Sequence, residues 1–494
     1  MPSEAPPPDD PPACRPRLIV IGGGFSAASL VVQLLRGTRR PLDIVVVEPR
    51  ARIGPGLAYS ATDPDHRLNA PLDVHWIDPL RPLELRRWVE QQGIVHQDPA
   101  CRTDNGHIFL RRADLGRYLG DQVASAVGEA PSGSTVHHVR DTATACLPAA
   151  RGYIVHCARH GDIGGDAVVI ATGNPVPAMR APLGAESHPR IIANPLEPGC
   201  LDPVPAAARI LVLGSGLTAL DIASTFARRR HEGAILVVSR RGHRPRPQSP
   251  HLLNGTPGPV VLGTQVPPFM ADVPPTIAAW TRALRRQIRR SSAAGQGWHA
   301  PFDALRDVVG QLWPRLPTRE QLRFLQKLRV FYDVHRFRTP PMNEQLVAEA
   351  ERRGQIRYAA ARLLALQLQP DGVRVQLAGA EMPAGEWQAF DFVVNCTGLD
   401  PASGRGANPV LRSLLQQGML QPHATGWGFG VGPDCAAIDA RGRTQPTVRV
   451  IGPPSAGALG DPVAIPFIAN QVHRMLPDLL RSLDSIHRTE ECNP

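Results

Sequence analysis

One pattern occurs twice in this chain and constrains its fold more than any other: an apolar strand, a glycine turn, an apolar helix and a second apolar strand. The first copy leads from the apolar residues 18–21 through Gly22, Gly23, Gly24, Phe25, Ser26 and Ala27 into a helix toward Leu35. Its second strand, 44–47, ends on Glu48. The second copy leads from 209–213 through Gly214, Ser215, Gly216, Leu217, Thr218 and Ala219 into a helix toward Arg228. Its second strand, 234–238, ends on Ser239, Arg240 and Arg241. Units of this kind build parallel sheets, so the expected fold class is α/β, with two Rossmann-like dinucleotide-binding domains.

The turn chemistry supports that reading. Gly22 permits the sharp bend, Gly24 lets a pyrophosphate approach the backbone, and Ala27 is small enough for close helix–strand packing. The helix that follows presents free N–H groups and the positive end of its dipole to the phosphates. A carboxylate at Glu48 accepts ribose hydroxyls, which suits FAD in the first unit. The second unit has guanidinium forks at that point, in Arg240 and Arg241 beside Ser239. They match a ribose 2′-phosphate in charge and in bidentate geometry, so NADPH is expected there.

With 494 residues, two or three domains are expected. The net charge of +10 raises the question of nucleic acid. The basic residues are almost all arginine, with Lys327 the single lysine, and they are scattered without interleaved aromatics, so no nucleic-acid partner is expected. The eight cysteines form no CxxC, which argues against structural zinc and against a redox dithiol; no metal is expected. Residues 1–16, rich in proline and acid, read as a disordered tail rather than a targeting segment. The apolar run 18–35 belongs to the first glycine unit rather than to a membrane span, so a cytoplasmic protein with no membrane partner is expected.

Between the fingerprints lie two loops: one at 54–60 with Gly56 and Leu57, the other at 68–71 with Leu68 and Asn69. Two buried strands end in Thr-Gly, at Thr172 and Gly173 and again at Thr397 and Gly398, where the chain leaves a sheet beside a cofactor. Near the C-terminus the strand 448–451 turns at Gly452, placed to approach the flavin. The expected organisation is a discontinuous FAD domain (17–205 plus 399–490), an NADPH domain (206–242 plus 344–398) and a mainly helical insertion (243–343) that caps the site.

Taken together, the strings 22–26, 54–60, 68–71, 214–221, 239–242 and 332–338 resemble the bacterial FAD/NAD(P)-binding protein family, over about 18–471. The resemblance implies a flavin-dependent N-monooxygenase, aspartate N-monooxygenase being one such activity. FAD reduced by NADPH then forms a C4a-hydroperoxide with molecular oxygen and passes one oxygen atom to a small polar or amino-acid-like substrate. Asn69, by that resemblance, is the candidate catalytic residue: it donates to the peroxide or holds NADP⁺ beside it. His335, Arg336 and Arg338 are candidates for binding an acidic substrate. The two arginines share a face if the segment is extended and diverge if it is helical. Two other functions stay open: an NADPH:acceptor oxidoreductase, and a non-catalytic flavoprotein that senses NADP(H). Oligomeric state is not written in the sequence.

Overall fold

The computed structural model describes residues 15–491 apart from 176, 178, 180, 181, 185–187, 259, 261, 381, 383, 384, 399–407, 461 and 462. The expected tail up to residue 14, and the expected resumption of the FAD domain at 399, lie outside the described residues.

In chain order the strands are β1 (Arg17–Ile21), β2 (Asp43–Val47), β3 (Thr135–Val139), β4 (Ala143–Pro148), β5 (Tyr153–Cys157), β6 (Asp162–Gly165), β7 (Ala167–Ile170), β8 (Ile191–Ile192), β9 (Ile210–Leu213), β10 (Ile235–Ser239), β11 (Ile356–Gln369), β12 (Gly372–Gly379), β13 (Trp387–Phe390), β14 (Phe392–Asn395), β15 (Ala436–Ile438) and β16 (Thr444–Val450). Among the described residues they form three sheets.

The first sheet has the order β15-β16-β7-β1-β2-β3, parallel except at β15. Its central strands are apolar at consecutive positions rather than at alternate ones, because both faces are covered. The helices Phe25–Gly37, Arg112–Gly128 and Ile465–Glu491 cover one face. The antiparallel sheet β4-β5-β6 and the helix Pro409–Gln416 cover the other. Since β16 pairs with β7, Val448 opposite Val168, the C-terminal segment completes the sheet that the N-terminal segment begins.

A second sheet, β13-β12-β11-β10-β9-β14-β8, is parallel from β11 through β8 and ends in an antiparallel ribbon at β12 and β13. The helices Leu217–Arg228 and Pro341–Arg352 pack on one of its faces. The fold is therefore mixed α/β with two Rossmann-like units, as the repeated pattern predicts. Its least legible strand is β8, two residues in a proline-rich crossing. It pairs with β14 through Val393 and Val394.

Between these units stand the helices Ile277–Ala293, His299–Asp307, Thr318–Arg323 and Arg329–Arg336, the last two separated by a π-helical turn, Phe324–Leu328. They enclose small apolar clusters of their own, around Met270, Ala283, Val308 and Leu312, and around Ile277, Trp313 and Leu316. Trp313 ties them to the C-terminal segment, its Nε1 donating to the Gly457 carbonyl at 2.7 Å. Among the described residues no helix is long and apolar enough to cross a membrane.

Candidate functional site

The first glycine turn is built by close approach. Gly22 has φ +101°, and a Cβ there would lie 2.5 Å from the Ala171 carbonyl oxygen. The 54–60 loop comes as near: a Cβ on Gly56 would lie 2.8 Å from the Cα of Gly24. Gly452 closes the same corner, since a Cβ on it would meet the Ser26 hydroxyl. Phe25, Ser26 and Ala27 are all buried, leaving the helix start as backbone wrapped by backbone. A phosphate needs such a surface, because its oxygens are bound by N–H groups that no side chain shields.

Glu48 has a second role that sequence spacing does not disclose. It is 4% exposed, and its Oε2 accepts the Gly23 N–H at 2.8 Å. Its Oε1 accepts from the Arg50 backbone N–H and guanidinium at 3.0 and 3.1 Å. The carboxylate expected to face the ribose thus holds the turn in shape. Nearby, the Thr172 hydroxyl is buried with no hydrogen-bond partner, while Gly173 turns the chain with φ +70°. An orphaned hydroxyl at the end of β7 suits a bound nucleotide that completes its hydrogen bonding. Thr172→Val should therefore leave the stability of flavin-free protein nearly unchanged. It should weaken FAD binding by about 1 kcal/mol, roughly fivefold, read by FAD titration of the apoprotein.

The second turn repeats the geometry. Gly214 has φ +105°, and a Cβ on it would lie 2.0 Å from the Cys396 carbonyl oxygen. Among the described residues nothing lies within 4 Å of a Cβ on Gly216 or Gly398. The Ser215 hydroxyl lies 2.8 Å from the Ser239 hydroxyl and 2.5 Å from the His243 carbonyl oxygen, which joins the glycine turn to the end of β10 and the loop beyond it. Leu217 and Thr218 open that helix. Arg240 and Arg241 are exposed there. Thr397 is tied down by Asn395, whose Oδ1 accepts its hydroxyl at 2.7 Å.

Where the first Rossmann-like unit, the helices of 277–336 and the C-terminal segment meet lies a cavity of about 610 Å³. Leu68 and Asn69 line it from the 68–71 loop, Arg336 and Phe337 from the last residue of the helix Arg329–Arg336 and the segment that follows it, and Pro466 and Phe467 from the C-terminal helix. Gln248 fixes the Asn69 backbone, its Nε2 donating to that carbonyl at 2.8 Å and to the Thr339 carbonyl at 3.1 Å. Gly56 and Leu57 lie in the loop whose neighbour Tyr59 reaches the wall.

The three substrate candidates separate. His335 and Arg336 sit in the helix Arg329–Arg336 and so point in different directions. The His335 ring leaves the cavity and packs on Trp298, centroids 4.7 Å apart, with its Nδ1 2.6 Å from the Phe331 carbonyl. Arg338 reaches the wall, but both its terminal nitrogens are bonded to Asp303, at 3.0 and 2.5 Å. Arg336 is buried, faces the cavity, and stacks over the rings of Phe337 and Phe467 at 4.3 and 5.9 Å. Asp303, the carboxylate among the described lining residues, is further occupied by Arg306 at 2.9 Å. Burial pushes the His75 imidazole down to about 4, so it stays neutral near pH 7.

One wall residue, Arg112, and its buried partner Asp221 were not legible as site residues. Arg112 lines the cavity and donates from Nη2 to Asp221 at 2.8 Å, joining the first Rossmann-like unit to the second fingerprint's helix. Arginine is too common in this chain to single out Arg112. Asp221, however, is an acid on the inner face of an apolar helix, and such a residue needs a partner.

Residues 19–175 match a family model described as FAD-NAD(P)-binding. No curated protein sequence matches the chain. Solved structures do. The ornithine N-hydroxylase of Kutzneria sp. 744, solved with reduced FAD, NADP⁺ and L-ornithine, aligns at 14% identity and TM-score 0.62, over 94% of this chain and 99% of that one. L-lysine 6-monooxygenase from Pseudomonas syringae aligns at 16% identity and TM-score 0.63, over 94% and 99%. The cadaverine monooxygenase of desferrioxamine biosynthesis from Erwinia amylovora aligns at 14% identity and TM-score 0.58, over 94% of each chain. These alignments span both Rossmann-like units together with the insertion, so the chain has the two-domain flavoprotein fold.

Proposed function

We propose that this chain is an FAD- and NADPH-dependent monooxygenase that hydroxylates the amine of a small, carboxylate-bearing substrate. The observation that carries the reading is the cavity between the flavin loop at Leu68 and Asn69 and the buried guanidinium of Arg336. The first glycine turn, Glu48 and Thr172 are the residues that would hold FAD; the second turn, Ser239, Arg240 and Arg241 would hold NADPH. Acceptance of a hydride from NADPH and activation of molecular oxygen are the chemistry FAD supplies when bound.

The chain's own part is binding, orientation and exclusion of water. Arg336, stacked over two aromatic rings and electrostatically coupled to Asp333, supplies the positive charge that would attract a substrate carboxylate and thereby direct the amine toward the flavin side. Leu68, Leu262 and Phe467 give the opposite walls an apolar surface that keeps water from the reacting atoms. Asn69, with its backbone fixed by Gln248, offers an amide donor at that wall. The eight cysteines include no CxxC, the paired dithiol that disulfide reduction on this fold would use.

Arg336→Met should raise KM for an amino-dicarboxylate by roughly 10- to 100-fold, the equivalent of one charge-assisted hydrogen bond. Anaerobic flavin reduction by NADPH without substrate should be unchanged. Steady-state kinetics beside stopped-flow reduction checks both halves. Equal loss in both would remove Arg336 from the substrate site. An acceptor reductase would instead show NADPH oxidation that no amine couples to a hydroxylated product.

A further inference from the structure

We infer that Phe331, an insertion residue, positions Arg241 to bind the ribose 2′-phosphate of NADPH, so that the insertion completes the nucleotide site of the second Rossmann unit. The inference rests on the NADPH reading above and extends it to a residue outside the fingerprint.

Phe331 is a large apolar side chain left 41% exposed, and it belongs to neither apolar cluster of the insertion. Its ring lies beneath the Arg241 guanidinium, with Cζ 5.2 Å from the centroid, and 5.1 Å from the His243 ring. Both contacts come from the loop that leaves β10. That loop is held against the same helix and the segment after it by backbone: the Arg246 N–H donates to the Val334 carbonyl at 2.8 Å, and the Thr339 N–H donates to the Arg246 carbonyl at 3.0 Å. At its other side the His243 carbonyl lies 2.5 Å from the Ser215 hydroxyl of the glycine turn. The insertion helix, the arginine loop and the phosphate-binding turn are thus connected in series.

The physical reason for such a platform is entropy. An exposed arginine at a strand end samples many rotamers, and a bidentate bond to phosphate requires one of them. An aromatic face under the guanidinium favours flat orientations without consuming its N–H donors. Ordering Arg241 in advance reduces what ligand binding must supply. The ligand so recognised is a nucleoside carrying a 2′-phosphate.

The test uses the full FAD-loaded chain, with 2′,5′-ADP and 5′-AMP as probes in isothermal titration. The quantity read is the ratio of their affinities, which isolates the 2′-phosphate from adenine binding and from any general loosening of the fold. Phe331→Ala should lower the ratio about fivefold, and Phe331→Tyr should preserve it. In an Arg241→Ala background, Phe331→Ala should have no further effect. If Arg241→Ala lowers the ratio and Phe331→Ala does not, the inference is overturned while the NADPH reading stands. If Arg241→Ala itself leaves the ratio unchanged, the NADPH reading of this loop fails and takes the inference with it. Flavin content and melting midpoint report that each variant is folded.

Discussion

Arg112→Met is expected to cost roughly 3–5 kcal/mol of folding stability, the penalty for leaving a buried carboxylate without its partner. Asp221 is 2% exposed and accepts the Arg112 guanidinium at 2.8 Å. Burial already pushes its carboxyl above the ordinary range; Arg112 and, to a lesser degree, His66 pull it back, while Asp63 pushes it up. Removing Arg112 removes the largest of the lowering influences, so the carboxyl rises further. A folded-state pKa above the unfolded value means that the folded protein binds the extra proton. The corresponding stability is present at low pH and is lost as pH rises through the raised value. The deficit of Arg112→Met against wild type should therefore shrink as pH falls from 8 toward 5, and Arg112→Met/Asp221→Leu should recover much of the loss. Urea denaturation across that range measures both. A deficit independent of pH would show that the pair is not the cause. Arg228, which binds Asp63 at 3.1 Å and also bonds Asp65, adds a second ionic link between the same two units.

The second large effect is expected at Glu48. Glu48→Ala removes the acceptor of the buried Gly23 N–H and the carboxylate proposed for the ribose, each worth about 1.5–3 kcal/mol when charge-assisted. FAD affinity should fall by roughly 100-fold or more, and the protein should emerge from gel filtration largely without flavin. Glu48→Gln keeps an acceptor for Gly23 and should retain more flavin than the alanine variant. The ratio of flavin to protein absorbance, followed by FAD titration, checks this. Unchanged flavin content in Glu48→Ala would remove Glu48 from the site.

The two Rossmann-like units were legible because their signals are local. Consecutive buried residues such as Leu18, Ile19 and Val20 mark a strand covered on both faces, and Gly22 and Gly214 mark turns that no side chain can enter. Completion of the first sheet by β16 was also open to sequence reading, since its apolar run ends on the Gly452 turn. What escaped depends on long-range pairing. Strand β8 has only Ile191 and Ile192, too short for any periodicity, and exists because β14 offers it an edge. The ion pair of Arg338 depends on Asp303, 35 residues away in sequence, which takes up its fork. His335 sits beside Arg336 in sequence but turns onto Trp298, because a helix rotates neighbours apart. The role of Asp221 became visible only when the other domain supplied Arg112.

The central claim, oxygen transfer to an amine in the cavity between Asn69 and Arg336, is tested most directly by isotope. The FAD-loaded protein is reduced anaerobically with one equivalent of NADPH, then mixed with oxygen-18 gas and an amino-dicarboxylate, and the quenched mixture is weighed by mass spectrometry. A hydroxylated amine carrying one labelled oxygen atom is the expected product, with little hydrogen peroxide released. Recovery of unmodified substrate together with one equivalent of labelled peroxide would contradict the proposed function.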